Sequence, residues 1–279
     1  MLGAIIGDII GSRFEWNNHK AKDFELFTAD CRMTDDSIMT LAVAKALMQT
    51  EKAVKAAGEA YGSSQAYDEL LGKMSIRYMQ EFGRRYPECG FSRAFFEWIV
   101  SDDPQPYDSF SDGAAMRISP VVYAGRTEAE VRRLSAAVTA VSHNHVEGLK
   151  GAEATATAIY LARCGASKDE IRKKIVDRYY PLDFRLDDIR NSYSFSTDCR
   201  ETVPQAITSF LESTSFEDAV RNAVSLGGDS DTLAAIAGAI AAAYYGVPGE
   251  IQKRALSYFD EEMLGVYNDW GRFLASRER

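Results

Sequence analysis

Two stretches carry residue types that can do chemistry together: Thr34-Asp35-Asp36-Ser37 and Gly227-Gly228-Asp229-Ser230-Asp231-Thr232. In each, a hydroxyl and paired carboxylates stand directly before a run of small and apolar residues, 38–47 in the first case and 233–243 in the second. Both have the form of a helix start, where unpaired amides and partial positive charge favour capping oxygens and acids. One capping Asp is ordinary. Two Asp and a Thr, ahead of a helix too apolar to face water, make a cluster of hard oxygens at the edge of a core. Like charges held together cost less when a cation sits between them. The same arrangement at two distant places in the chain predicts one joint site for hard cations, the plainer alternative being two over-capped helices.

The elements that would position these mouths follow from the flanking patterns. Gly3, Gly7 and Gly11 recur every four residues, on one face of a helix, and predict close backbone approach to a neighbour. Ile5, Ile6, Ile9 and Ile10 would fill the core around them, and Glu15 falls just past the stripe. Residues 17–33 read as an irregular, exposed loop. Phe91, Phe95 and Trp98, at helical spacing, read as core. Residues 101–113 form a polar, Pro-broken loop whose end, Ser109-Phe110-Ser111-Asp112-Gly113, could offer several amides to a phosphate. Val131, Leu134, Val138 and Val141 mark an amphipathic helix running into Ser142-His143-Asn144-His145. No cysteine lies beside these histidines, so stacking or hydrogen bonding to a ligand is preferred to zinc, with a capped helix junction as the alternative.

Further helices are expected over 148–162, 168–179, 202–212, 216–224, 250–259 and 261–279. No series of alternating strands, no repeat and no linker interrupts the pattern. The expectation is an all-α fold, a single domain over residues 1–279. A net charge of −9 and a pI near 5.0 argue against a nucleic-acid backbone as partner. The N-terminus lacks a basic region and meets Asp8 early, unlike a signal peptide, and the 233–245 apolar run is too short to span a bilayer. Cys31, Cys89, Cys164 and Cys199 form no CxxC pair and read as reduced thiols of a cytoplasmic protein.

With these pieces placed, the chain resembles the ADP-ribosylglycohydrolase family over nearly its whole length. The motifs that carry the resemblance are Gly7-Asp8 through Gly11 and Glu15, Thr34-Asp35-Asp36-Ser37, Ser111-Asp112-Gly113-Ala114-Ala115-Met116-Arg117, Ser142-His143 and Gly227-Gly228-Asp229-Ser230-Asp231-Thr232. Each is modest alone; their joint order is specific. The resemblance implies a compact multi-helix bundle with two divalent cations, Mg2+ or Mn2+, in a central cleft. It assigns Thr34, Asp35 and Asp36 from one helix start, and Asp229, Asp231 and Thr232 from the other, as ligands. It places a diphosphate on the loop Ser109, Phe110, Ser111, Asp112 and Gly113, and His143 against the ADP-ribose. The activity implied is hydrolysis of the glycosidic bond between ADP-ribose and an acceptor, in an ADP-ribosylated protein or a small-molecule conjugate. Asp36 is the candidate proton-handling carboxylate, with Glu15 as its alternative. Contacts to the leaving group are expected from 17–33 and 185–198.

Some positions depart from the family pattern. Ser111-Asp112 replaces a common Gly-Asn and sets a negative charge in the expected phosphate loop, while Ser37 and Ser142 replace Thr and keep a hydroxyl. Rival readings are a metal-dependent phosphohydrolase, a non-catalytic ADP-ribose-binding module, or a structural protein like the lens crystallins that resemble this family. The DxDxT signature of the haloacid dehalogenases is not met, because Leu233 stands where Thr is required. Eroded ligands would favour a structural role, and none of the six is eroded.

Overall fold

The computed structural model describes residues 1–58 and 65–277. Fourteen α-helices and no strand occur among them, as an all-α fold requires. The first four are α1 (Leu2–Gly11), α2 (Asp35–Ala56), α3 (Gln65–Arg85) and α4 (Arg93–Val100). A single 3-10 turn, Asp112–Ala114, precedes α5 (Ser119–Ala124), α6 (Glu128–Thr139), α7 (Val146–Arg163) and α8 (Lys168–Arg178). Then come α9 (Leu186–Ile189), α10 (Cys199–Leu211), α11 (Phe216–Val224), α12 (Ser230–Tyr245), α13 (Gly249–Leu256) and α14 (Glu261–Arg277). The expected last helix thus extends to Arg277, and residues 278–279 lie outside the described part.

Ordinary surface helices start on side-chain caps: Ser92, Thr127, Ser167 and Ser215 each accept an amide of the first turn, and Ser167 forms a full capping box with Glu170. Such a cap contributes about 1 kcal/mol. The two acidic mouths behave differently. Neither Thr34 nor Asp229, the N-caps of α2 and α12, makes a side-chain capping bond. Their oxygens are used elsewhere, which removes the over-capped reading.

The centre of the molecule is α12, buried without interruption from Ser230 to Ala241. It packs on α1, α11, α10 and α7, while α2 packs against α3, α1, α14 and α5. The α1–α12 contact is the closest, and glycine makes it so. A Cβ at Gly3 would overlap the Gly238 carbonyl, one at Gly7 the Ala234 carbonyl, and one at Gly11 the Ser230–Asp231 backbone. The backbones therefore meet without side chains between them, which sets Asp231 against the end of α1.

Two details differ from expectation. Residues 17–33 are irregular but not wholly exposed, since Phe27 and Cys31 are buried. The 131–141 stripe is buried at Val131, Leu134 and Val138, yet the helix stops at Thr139 and Val141 lies in the following turn. No described helix is long and apolar enough to cross a membrane.

Gly7→Ala should lower the unfolding free energy by about 1–3 kcal/mol, the usual cost of forcing a methyl into a packed contact. Gly265→Ala, exposed on α14 with nothing near the added methyl, should raise it by about 0.5–1 kcal/mol. Urea titration of both variants checks the pair; equal effects would contradict the tight contact.

Candidate functional site

Asp8, one turn before the end of α1, is wholly buried and collects the mouth of α2. Its carboxylate accepts from the Thr34 amide (3.0 Å), the Thr34 hydroxyl (2.7 Å), the Ser37 amide (3.1 Å) and the Ser37 hydroxyl. One helix thus supplies the anion at the start of another. Thr34 Oγ1 also lies 3.4 Å from Asp36 Oδ2, and Thr232 Oγ1 donates to that same oxygen at 3.3 Å, so the α2 and α12 mouths meet at Asp36. Asp36 Oδ1 is buried with no partner. The α12 mouth is presented by a left-handed turn, Gly227 (φ 69°) and Gly228 (φ 72°), which a side chain would strain.

One carboxylate oxygen each from Asp8, Asp36 and Asp231 lie within 4.8 Å of one another. Asp229, Asp35, Asp112 and Glu15 complete the acidic side. None of these seven carboxylates takes part in a salt bridge among the described residues. Burial first, and then the Asp231 charge, push Asp8 and Glu15 up to about 7. The same causes hold Asp35 and Asp36 well above the usual carboxylate range, and burial followed by Asp112 does so for Asp229. A cluster of hard oxygens with an orphaned buried atom is a donor set that fits a hard divalent cation.

The acidic group forms one end of a cleft of about 580 Å³. Glu15, Asp35, Asp36, Asp229, Asp231 and Thr232 line it, as do Ser109, Phe110, Ser111, Asp112, Gly113 and His143. Thr34 lies behind this wall, through its contacts to Asp8 and Asp36. All the residues singled out in the sequence are therefore brought to one place. The 109–113 loop is held by backbone bonds, Asp112 N to Thr197 O at 2.8 Å and Cys199 N to Phe110 O at 3.2 Å. Asp112 points inward: it is buried, and burial raises its pKa well above the ordinary range.

The cleft wall also carries groups whose role the sequence does not reveal. Phe95 and Trp98 are buried in the core as expected, and Phe95 also lines the cleft together with half-buried Phe91. Phe95 stacks on Trp98 at 5.4 Å and meets the His143 ring at 5.9 Å. Arg117, quoted only as part of a motif, is 1% exposed, lies 5.0 Å over the Phe95 ring and donates to Ser142 Oγ at 2.8 Å. Burial, and then the Arg117 charge, lower the His143 pKa well below its usual value. The two histidines part company here, for His145 simply caps α7 by accepting the Glu147 amide. Asp8 too was seen only as a motif letter; an acid inside an otherwise apolar glycine-striped helix was its signal.

At the mouth, Trp16 and Phe195 stack on each other at 5.1 Å although 75% and 43% exposed. Their loops are tied together: Lys20 donates to Tyr193 O at 2.6 Å and to Leu226 O, and Asn18 accepts the Gly228 amide. This connects Glu15, the rim and the turn before α12 mechanically.

The model of the family described as ADP-ribosylglycohydrolase matches residues 1–275. The ADP-ribosylhydrolase ARH3 of Xenopus tropicalis is 23% identical over 98% of this chain and 93% of its own length. The human ARH3 is also 23% identical, over 95% of this chain and 90% of its own length. The ADP-ribosylarginine hydrolase Tri1 of Pseudomonas putida is 25% identical over 93% of this chain and 76% of its own length. A solved structure titled ADP-ribosylglycohydrolase-related protein complex shares the fold, with a TM-score of 0.66 at 23% identity, covering 97% of this chain and 96% of that one. The helical bundle, the order of its motifs and the acidic cleft they build agree with these matches, and the chain belongs to the ADP-ribosylglycohydrolase family.

Proposed function

We propose that this protein is a metal-dependent hydrolase that cleaves the glycosidic bond between ADP-ribose and an acceptor. The observation that carries this reading is the lining of the cleft, which combines buried carboxylates that are in no salt bridge among the described residues with the donors and aromatic rings around His143. Its volume is in the range of small-ligand sites and suits a nucleotide sugar. Thr34, Asp35, Asp36, Asp229, Asp231 and Thr232 are the proposed ligands of two divalent cations, Mg2+ or Mn2+. When bound, such ions lower the pKa of a coordinated water and hold ribose hydroxyls.

The chain's own groups do the rest. Asp8 orients Thr34 and Ser37 and so holds the α2 mouth in place. The 109–113 loop and His143 receive the ADP-ribose body. Positive charge building at the anomeric carbon is stabilised by the carboxylates around it. Asp36 takes the proton from the attacking water, and half-buried Glu15, raised to about 7, is the alternative. The domain is taken as residues 1–279, in a reducing, cytoplasmic setting that agrees with four free cysteines.

A specific observation bears on the acceptor. The Trp16–Phe195 stack stands beside Glu15 at the cleft mouth, an aromatic face next to negative charge. That pairing suits a planar cation such as an arginine guanidinium. Across a panel of arginine-, serine- and acetyl-linked ADP-ribose, turnover should be highest on the arginine linkage. Trp16→Ala should lower kcat/KM on that linkage by about three- to tenfold, the loss of about 0.5–1.5 kcal/mol of stacking, with ADP-ribose affinity nearly unchanged. Equal loss on all linkages would contradict an acceptor role.

Asp36→Asn should lower single-turnover release of ADP-ribose by about 10²–10⁴-fold while keeping most of the ADP-ribose affinity, since the amide keeps shape but not charge. Asp231→Ala should bind less metal and lose activity with the helical fold retained. Metal content and turnover unchanged in both variants would overturn the site. A wild type that binds ADP-ribose but is inert on every linkage would indicate a binding module.

The raised carboxylates also set a pH dependence. Without metal the folded protein binds more protons than the unfolded chain between about pH 4 and pH 7. The stability this contributes is complete below the ordinary carboxylate pKa and is lost as pH rises through about 7. Mg2+ or Mn2+ should therefore raise Tm by several degrees at pH 8 and much less at pH 5. Thermal melts at both values check this, and an equal rise at both would contradict it.

A further inference from the structure

We infer that Arg117 is a positioning residue that sets the direction of a hydrogen-bond chain, Arg117–Ser142–His143–Ser111–Ser109, so that its far end offers donors to an anionic ligand. The inference rests on the reading of the cleft as an ADP-ribose site, where the ligand class is the diphosphate.

The direction follows from chemistry alone. A guanidinium has only donors. Arg117 Nη2 donates to Ser142 Oγ at 2.8 Å and lies 3.3 Å from His143 Nδ1, while Ser142 Oγ is 2.8 Å from that same Nδ1. A proton on Nδ1 would face a fixed cation, so Nδ1 is the acceptor, receiving the Ser142 hydrogen, and the imidazole proton is on Nε2. That N–H faces Ser111 Oγ at 3.1 Å. Ser111, accepting from His143, turns its own hydrogen to Ser109 Oγ, 3.1 Å away. Ser109 Oγ also accepts the Ser111 amide at 3.3 Å and gives its hydrogen to the Tyr107 hydroxyl, whose own O–H is then left for the cleft that both residues line.

Three further observations point the same way. Among the described residues Arg117 forms no salt bridge, and its Nε and Nη1 are buried without acceptors. A structural arginine would be paired, whereas this one lies on the cleft wall with donors to spare. Its charge and burial keep His143 neutral, as a fixed tautomer requires. Finally, the loop carries Asp112, an acid where a phosphate is expected, and Asp112 Oδ2 is itself without a partner. A chain whose hydrogens all run in one direction, so that its last donor faces the cleft, offsets that charge. Were His143 to adopt the other tautomer, Ser111 would donate inward and the loop would lose its donor.

The protein has three histidines, so His143 is assigned by its disappearance in His143→Gln. Long-range 1H–15N correlation spectra of the ligand-free, 15N-labelled wild type at pH 7 should show His143 as the Nε2–H tautomer. An Nδ1–H tautomer, or a mixture, overturns the proposal without any variant. Arg117→Met should lose the single tautomer and weaken ADP-ribose binding by about tenfold or more in calorimetry, while adenosine, which lacks the diphosphate, is affected much less. Arg117→Lys, still a donor-only cation, should restore part of both. Ser111→Ala keeps the fold in place should Arg117→Met not do so; it should weaken ADP-ribose binding and leave the His143 tautomer intact. An unchanged tautomer in folded Arg117→Met, or equal losses for adenosine and ADP-ribose, refutes the role. If wild type shows the tautomer but does not bind ADP-ribose at all, the functional reading fails and the tautomer lock stands.

Discussion

Seven carboxylates gather in and behind one cleft in this protein, most of them buried, and none is in a salt bridge among the described residues. Everything else in the structure has to accommodate that repulsion. Buried charge of one sign is held only if protons or a cation neutralise it, and the raised pKa values correspond to the first of these routes. The second route is what the oxygen donor set fits. A fold under this strain needs a rigid frame at the point where the charges converge.

That frame is the α1–α12 pair. Its glycine face lets the backbones touch, so neither helix can slide or rotate relative to the other without a clash. Asp8 then extends the frame to α2 by satisfying four donors at its first turn. Asp8 thus ties α1 to α2 through one buried carboxylate, and the α2 and α12 mouths face one another across Asp36. Binding-site precision here comes from backbone contact and short polar links rather than from long side chains. Such links carry little conformational entropy and hold geometry closely.

The same cleft carries donors close to the acids. Arg117 and His143 sit on aromatic rings and are joined by serine hydroxyls to the 109–113 loop, which also holds Asp112, and the Asp35 charge reaches Arg117. The family membership of the chain and this mixed lining agree with each other. At the mouth, two loops far apart in sequence are bolted to the turn before α12, which places exposed aromatic rings where an acceptor would enter.

The sequence by itself determined the all-α fold, because apolar residues recur with helical period and no alternating run competes. It also determined which oxygen-bearing residues would gather, since acids next to apolar helix starts are too costly to be incidental twice over. The glycine stripe predicted its own close contact, because the absence of side chains every fourth residue has few other uses. Only the tertiary structure decided what those residues do to one another. Asp8 read as a lone acid in an apolar helix, and its role depends on α2 arriving from the side. The core position of Phe95 follows from ring periodicity, but that periodicity does not say that Phe91 and Phe95 also face a cleft. Arg117 is one letter of a motif, and that it forms no salt bridge among the described residues is something no local pattern can show. Helical periodicity and capping are set within a few residues, whereas charge pairing, cleft lining and hydrogen-bond direction depend on segments the chain brings together only when it folds.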